Sequence, residues 1–194
     1  AKDVTFTATW KADENEDSKP DEDQTLTITF DAGDGSFKEG VKSSYTLIPG
    51  DNYPAALGAE DLNAPEGMAF DGWTPAYTLS GKVPADQATE TKTYKATYGK
   101  DSNGDGTPDD KEEKYTITYA AGADDETIDG IPAAVKNVLK NTDQTVSDAV
   151  PTRDKYVFAG WTTTDVTVTA GKFKMPAKDV TFTATWKADE NEDS

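Results

Sequence analysis

One run of residues carries a spacing that could do ligand chemistry: Asp101-Ser102-Asn103-Gly104-Asp105-Gly106-Thr107-Pro108-Asp109-Asp110-Lys111-Glu112. It satisfies the calcium-loop pattern D-x-[DN]-x-[DN]-G-x5-E at every fixed position. Ca²⁺ takes roughly six to eight hard oxygens. In this pattern Asp101, Asn103 and Asp105 offer side-chain oxygens from one side, and Gly106 allows the sharp turn. Thr107 offers its backbone carbonyl, Asp109 a direct or water-mediated oxygen, and Glu112 a bidentate carboxylate. The expected cofactor is therefore Ca²⁺, held by Asp101, Asn103, Asp105, Thr107, Asp109 and Glu112. The flanks depart from a helix–loop–helix: Tyr94–Tyr98 before the run and Tyr115–Tyr119 after it alternate like strands, and Pro108 stands where an apolar residue is usual. A helix-free calcium linker fits better. The bland alternative is an acidic, Gly-rich, flexible linker.

Other chemistry is sparse. The 194 residues include no His and no Cys, which removes the commonest general base and all thiolate and Cys-ligated zinc chemistry. Arg153 is the single arginine, so no arginine clamp can form. With 37 acidic residues and a net charge of −18, the surface repels nucleic acid and anionic membranes and favours cations. No apolar run approaches the roughly 18 residues of a membrane span. A glycosidase needs a defined carboxylate pair, and none stands out among so many; the chain reads as no enzyme. Trp73 and Trp161 could stack on glycans, but their recurrence directly after Phe-x-Gly favours core packing. Tyr45, Tyr53 and Tyr77 fall at irregular places suited to surface contacts. A Lys–Asn isopeptide crosslink would draw on Lys136, Lys140, Asn137 and Asn141, which nothing predicts to be buried.

The elements that position the loop come in repeats, and a repeat decides the architecture. Residues 1–18 recur identically at 177–194. Thr93-Tyr94-Lys95-Ala96-Thr97-Tyr98 stands 88 residues after Thr5-Phe6-Thr7-Ala8-Thr9-Trp10 and 88 before Thr181-Phe182-Thr183-Ala184-Thr185-Trp186. Phe70-Asp71-Gly72-Trp73 and Phe158-Ala159-Gly160-Trp161 keep the same step, and Thr27–Gly33 matches Thr116–Gly122 at 89. Three ordered markers define two homologous modules. The organisation reads as 1–10, the last strand of a preceding repeat; 11–24, an acidic linker; 25–99, module one; 100–113, the calcium-loop-like linker; 114–187, module two; 188–194, an acidic tail.

Within the modules, strands dominate. Val180, Phe182, Ala184 and Trp186 share one face of a half-buried strand, as do Leu26, Ile28 and Phe30, and Tyr115, Ile117 and Tyr119. Tyr156, Phe158 and Trp161 mark a strand ending in a Gly turn. Val166 and Val168 predict a short strand closed by an Ala170-Gly171 turn. Ile131, Val135 and Val138 recur at i, i+4 and i+7 with Pro132 near the start, which predicts one short helix. The expected fold class is mainly β, or α+β with at most one short helix per module, in two tandem small modules.

The Thr116-Ile117-Thr118-Tyr119 opening, Phe158-Ala159-Gly160-Trp161, and the closing run from Phe173 through Met175-Pro176-Ala177 to Trp186 resemble the internalin-type B repeats and the related Listeria–Bacteroides repeats of bacterial surface proteins. The resemblance covers nearly all of module two. Module one departs, with Val83-Pro84-Ala85 and an insertion before its last strand. It implies β-grasp-like modules arrayed as non-enzymatic stalks on secreted or wall-attached proteins, with no catalytic residues to carry over. The expectation is thus a stalk or spacer of an extracellular, adhesin-like bacterial surface protein, its joint stiffened by calcium and its partners the neighbouring modules. The rival expectation is a module that binds a host glycan or protein through its divergent loops at 45–65 and 74–92. Neither involves nucleic acid or membrane insertion.

Overall fold

The computed structural model describes residues 5–13, 16, 18–124 and 128–190. The chain divides into two compact units, Ala1–Asp101 with Gly106–Pro108, and Ser102–Asp105 with Asp109–Ser194. The first contains β1 (Leu26–Asp31), β2 (Ser36–Phe37), β3 (Ser44–Leu47), β4 (Leu62–Asn63), β5 (Met68–Thr74) and β6 (Glu90–Lys100). Its sheet runs β3-β1-β6-β5, with β1 and β6 parallel and the outer pairs antiparallel. The second contains β7 (Lys114–Ala120), β8 (Val135–Leu139), β9 (Asp143–Thr145), β10 (Tyr156–Thr162), β11 (Lys172–Lys174) and β12 (Val180–Ala188). Its sheet, β10-β12-β7-β8, repeats that order and the parallel central pair. The fold is mainly β, as two similar modules. Among the described residues no helix is long and apolar enough to cross a membrane.

The period-two pattern decides each core. Leu26, Ile28 and Phe30 are fully buried on one face of β1, against Leu47, Val83 and Tyr94. Ile117 and Tyr119 of β7 meet Val180 and Phe182 of β12, with Phe173 and Met175 closing the second core. Burying such side chains stabilises each module by about 1.5–3 kcal/mol apiece relative to exposure.

Three local expectations need correction. The segment from Ile131 to Val138 is not a helix. Its second half is β8, antiparallel to β7, with Tyr115 opposite Val138 and Ile117 opposite Val135. Between those pairs β8 carries one residue more than β7, and Asn137 absorbs it at φ +60°. The free edge of β7 offers a full ladder of hydrogen bonds and a buried apolar face, and a two-turn helical period does not outweigh it. The Val166–Val168 stretch forms no strand. Asp165 bends it by accepting the Thr181 N–H at 2.9 Å and the Lys178 ammonium at 3.0 Å. The Ala170-Gly171 turn does form, with positive φ at both residues and Thr169 bridged to Lys172.

The third correction concerns Phe-x-Gly-Trp. Its glycine makes no turn; it lies in a β-bulge. Register shifts between Phe70 and Gly72 opposite Tyr98 and Thr97, and again between Phe158 and Gly160 opposite Trp186 and Thr185. Gly72 and Gly160 sit at φ +137° and +124°, a region open to glycine. Residues three apart on a regular strand point to opposite faces. The extra residue brings Phe70 onto Trp73 at 5.4 Å and Phe158 onto Trp161 at 5.2 Å between ring centroids. The motif is thus a device for placing two rings on one face.

The Asp165 contacts set a pH dependence. The Thr181 N–H bond, and after it the Lys178 ammonium, hold its carboxyl below the ordinary 3.8. A carboxyl depressed on folding adds stability that is complete above its unfolded value and is lost as pH falls through the folded one. Asp165→Asn is expected to be less stable than the parent at neutral pH, with the gap closing below about pH 4. Urea midpoints measured across that range would show it; a gap independent of pH would refute it.

Candidate functional site

The parent strands deliver the loop. Strand β6 ends at Lys100, and the Asp101 N–H donates to Gly67 O at 2.9 Å, anchoring the next residue to the first unit. Asp101 is buried, and its carboxylate accepts the Gly106 N–H at 2.9 Å. Thr107 is half-buried in the same unit.

The other four predicted ligands belong to the second unit. Asp109 accepts the Ser102 N–H at 2.7 Å and the Ser102 hydroxyl at 2.6 Å, which closes the loop on itself. Asn103 accepts the Asp105 N–H at 3.2 Å through Oδ1, and its Nδ2 donates to both Glu112 carboxylate oxygens at 3.0 Å and to Lys140 O at 3.1 Å. Lys140 directly follows β8, and its ammonium lies 3.0 Å from Asp105 Oδ2 and 3.6 Å from Glu112 Oε1. The Glu112 side chain is only 3 % exposed. A carboxylate removed from water this far requires a compensating charge and donors, and Lys140 with Asn103 supplies them. The Asp105 carboxylate, first by hydrogen bond and then by charge, holds the Lys140 ammonium above its ordinary pKa of 10.5.

Asp105 and Glu112 therefore converge on one cation, the Lys140 ammonium, while Asn103 ties Glu112 to the Lys140 carbonyl. Sequence reasoning missed Lys140 as part of this group, because it lies 28 residues downstream of Glu112 and is placed there only by the pairing of β8 with β7. Among the described residues no three acidic side chains meet as a ready-made metal cluster. The donor chemistry nevertheless fits a hard cation. Two carboxylates already face one positive centre, and rotating the Asn103 amide would exchange its nitrogen for an oxygen.

The aromatic candidates fall elsewhere. Trp73 and Trp161 are core-packed. Their indole N–H groups donate to Leu57 O at 2.7 Å and Ala149 O at 3.1 Å, and their rings pack on Phe30 and on Tyr119, both at 4.9 Å. Tyr45, Tyr53 and Tyr77 also turn inward, against the first core. Burial, then the neighbouring Tyr94, Tyr53 and Tyr45, raise the Tyr77 pKa above 10.0. Among the four crosslink candidates, Lys136, Asn137 and Asn141 are exposed and Lys140 is half-buried. Large exposed aromatics do occur in the segment before the first unit's sheet, where Phe6 and Trp10 are 91 % and 90 % exposed. The expected strand at 1–10 forms no strand over its described part, 5–10, and residues 1–4 lie outside the described residues. The acidic tail at 188–194 is described only to residue 190.

No family model and no curated protein matches this chain. Among solved structures, it is similar to domains 3–4 of the Streptococcal High Identity Repeats in Tandem (SHIRT) from a cell surface protein, at 12 % identity and a TM-score of 0.33, over 86 % of this chain and 98 % of that one. A likeness that slight carries no argument about what this chain does.

Proposed function

We propose that this chain is a non-enzymatic spacer segment of an extracellular bacterial surface protein, built by repeating one β module, and that the loop at 101–112 binds calcium where one module follows the other. The observation that carries the reading is the reuse of one design. Both units share the sheet order, the Phe-x-Gly-Trp bulge and the indole-to-carbonyl ties. In each, the last residue of the closing Ala-Thr-aromatic motif makes a further tie: Tyr98 donates to Ala32 O and Trp186 to Ala121 O, both at 2.8 Å. What recurs is the scaffold, and what differs is loop length, which suits modules selected for stacking in series. A surface of net charge −18 stays soluble and gathers cations.

Asp105 and Glu112 would hold the ion, with Asn103 through its carboxamide oxygen; the sequence pattern assigns Asp101, Thr107 and Asp109 to the remaining positions. Bound calcium would supply charge neutralisation and a fixed loop conformation, removing freedom that a solvated acidic linker keeps. A ligand that binds only the folded state raises the melting temperature by mass action. Scanning calorimetry is expected to show a transition raised by calcium and lowered by chelator, with the difference abolished in Asp105→Ala. Melting curves that coincide in calcium and chelator would refute the calcium part of the reading.

A further inference from the structure

The two modules differ in what fills the flank of the core. In the first, Tyr45 stands opposite Ile28, and the Tyr53 N–H donates to Gly81 O at 3.0 Å. In the second, Val135 stands opposite Ile117, and the Val146 N–H donates to Gly171 O at 2.8 Å. Tyr77 packs its ring on Phe30 and Tyr94, which pair across the parallel strands. In the second module Val166 packs against the core cluster that contains the corresponding pair, Tyr119 and Phe182. Two inward tyrosines of one module, Tyr53 and Tyr77, are thus two valines of the other, Val146 and Val166, while Val135, in the register of Tyr45, is 47 % exposed. Beside Val146 and Val166 the second module has a solvent-open cavity of about 400 Å³, lined also by Trp161, Phe182, Thr162 and Thr163.

We propose that this cavity is a binding site for a single aromatic ring, a phenol above all, carried by a small ligand. The sister module defines the occupant: there the space takes a phenol whose hydroxyl donates to a backbone carbonyl, Pro54 O, at 2.6 Å. Trp161 and Phe182 offer the faces and edges that aromatic pairs favour. The hydroxyls of the lining residues Thr162 and Thr163 can accept from or donate to a ring substituent. The pocket opens to solvent and its lining is polar as well as apolar, which suits a ring bearing a hydroxyl better than a bare hydrocarbon. This site is independent of the calcium loop and of the spacer reading.

The probe is p-cresol, which is the tyrosine side chain cut at its β carbon, titrated into the full chain at millimolar concentrations. Indole N–H resonances report by residue. The Trp161 signal is expected to shift saturably while Trp73, whose module already holds its tyrosines, stays in place. 4-Methylcyclohexanol, similar in size without a π face, is expected to bind more weakly. Val166→Tyr is expected to fill the space and weaken cresol binding by about tenfold or more, with the Trp186 signal reporting a preserved fold. Val146→Tyr serves the same purpose if Val166→Tyr does not fold. No saturable shift at Trp161 overturns the proposal. So do equal shifts at Trp73, equal binding of the saturated alcohol, or a cresol response that survives in a folded filled variant.

Discussion

Phe182→Ala is expected to destabilise the second module by about 3–5 kcal/mol, whereas Phe6→Ala is expected to change stability by less than about 0.5 kcal/mol. The two phenylalanines stand in the same 18-residue sequence, residues 1–18 and 177–194. Local propensity therefore cannot separate them; tertiary context alone can. Phe182 is 1 % exposed on β12, stacked on Tyr119 at 5.6 Å and tilted against Phe173 at 5.3 Å. Its strand is hydrogen-bonded on both sides, to β7 and β10. Truncation removes the transfer energy of the ring and leaves a cavity that the sheet is too constrained to close. Among the described residues Phe6 has no strand partner, and it is 91 % exposed. Denaturant midpoints of the two variants decide the matter, and comparable losses in both would mean that the segment around Phe6 is packed in solution.

The second large effect lies in the loop. Glu112→Gln is expected to weaken calcium binding on the order of a hundredfold, since it removes a charged, nearly buried oxygen pair worth about 3 kcal/mol. Lys140→Met is expected to act in the opposite direction and tighten binding, because calcium then no longer displaces an ammonium 3.0 Å from Asp105. This opposite pair of signs separates two roles for Lys140. If the lysine is the loop's permanent cation, Lys140→Met is destabilised, because Asp105 and Glu112 lose their counter-charge, and added calcium neither binds it more tightly nor restores its stability.

Much of the fold was legible because its strongest signals are periodic. Alternation placed Leu26, Ile28 and Phe30, and Val180, Phe182 and Ala184, on the buried faces they occupy, and the repeat announced two like modules before any strand was paired. The failures have local causes. Ile131, Val135 and Val138 fit a helical period by coincidence over a stretch too short to outweigh an open sheet edge. Phe-x-Gly-Trp reads as the end of a strand until the pairing shows that the glycine lies within one. Tyr45, Tyr53 and Tyr77 have no regular spacing, since each comes from a different loop or strand and they meet only in three dimensions. The loop at 101–112 was found by spacing alone, but its counter-charge was not: Lys140 reaches it through the β7–β8 pairing, a contact without any sequence pattern.

Whether this loop holds calcium is decided by calorimetric titration of calcium into the metal-free full chain at neutral pH. One saturable site is expected, weakened about a hundredfold in Glu112→Gln and strengthened in Lys140→Met. Titration heats indistinguishable from dilution, up to millimolar calcium and in Lys140→Met as well, would contradict it and leave the Asp105–Lys140–Glu112 group as a self-contained ionic clasp.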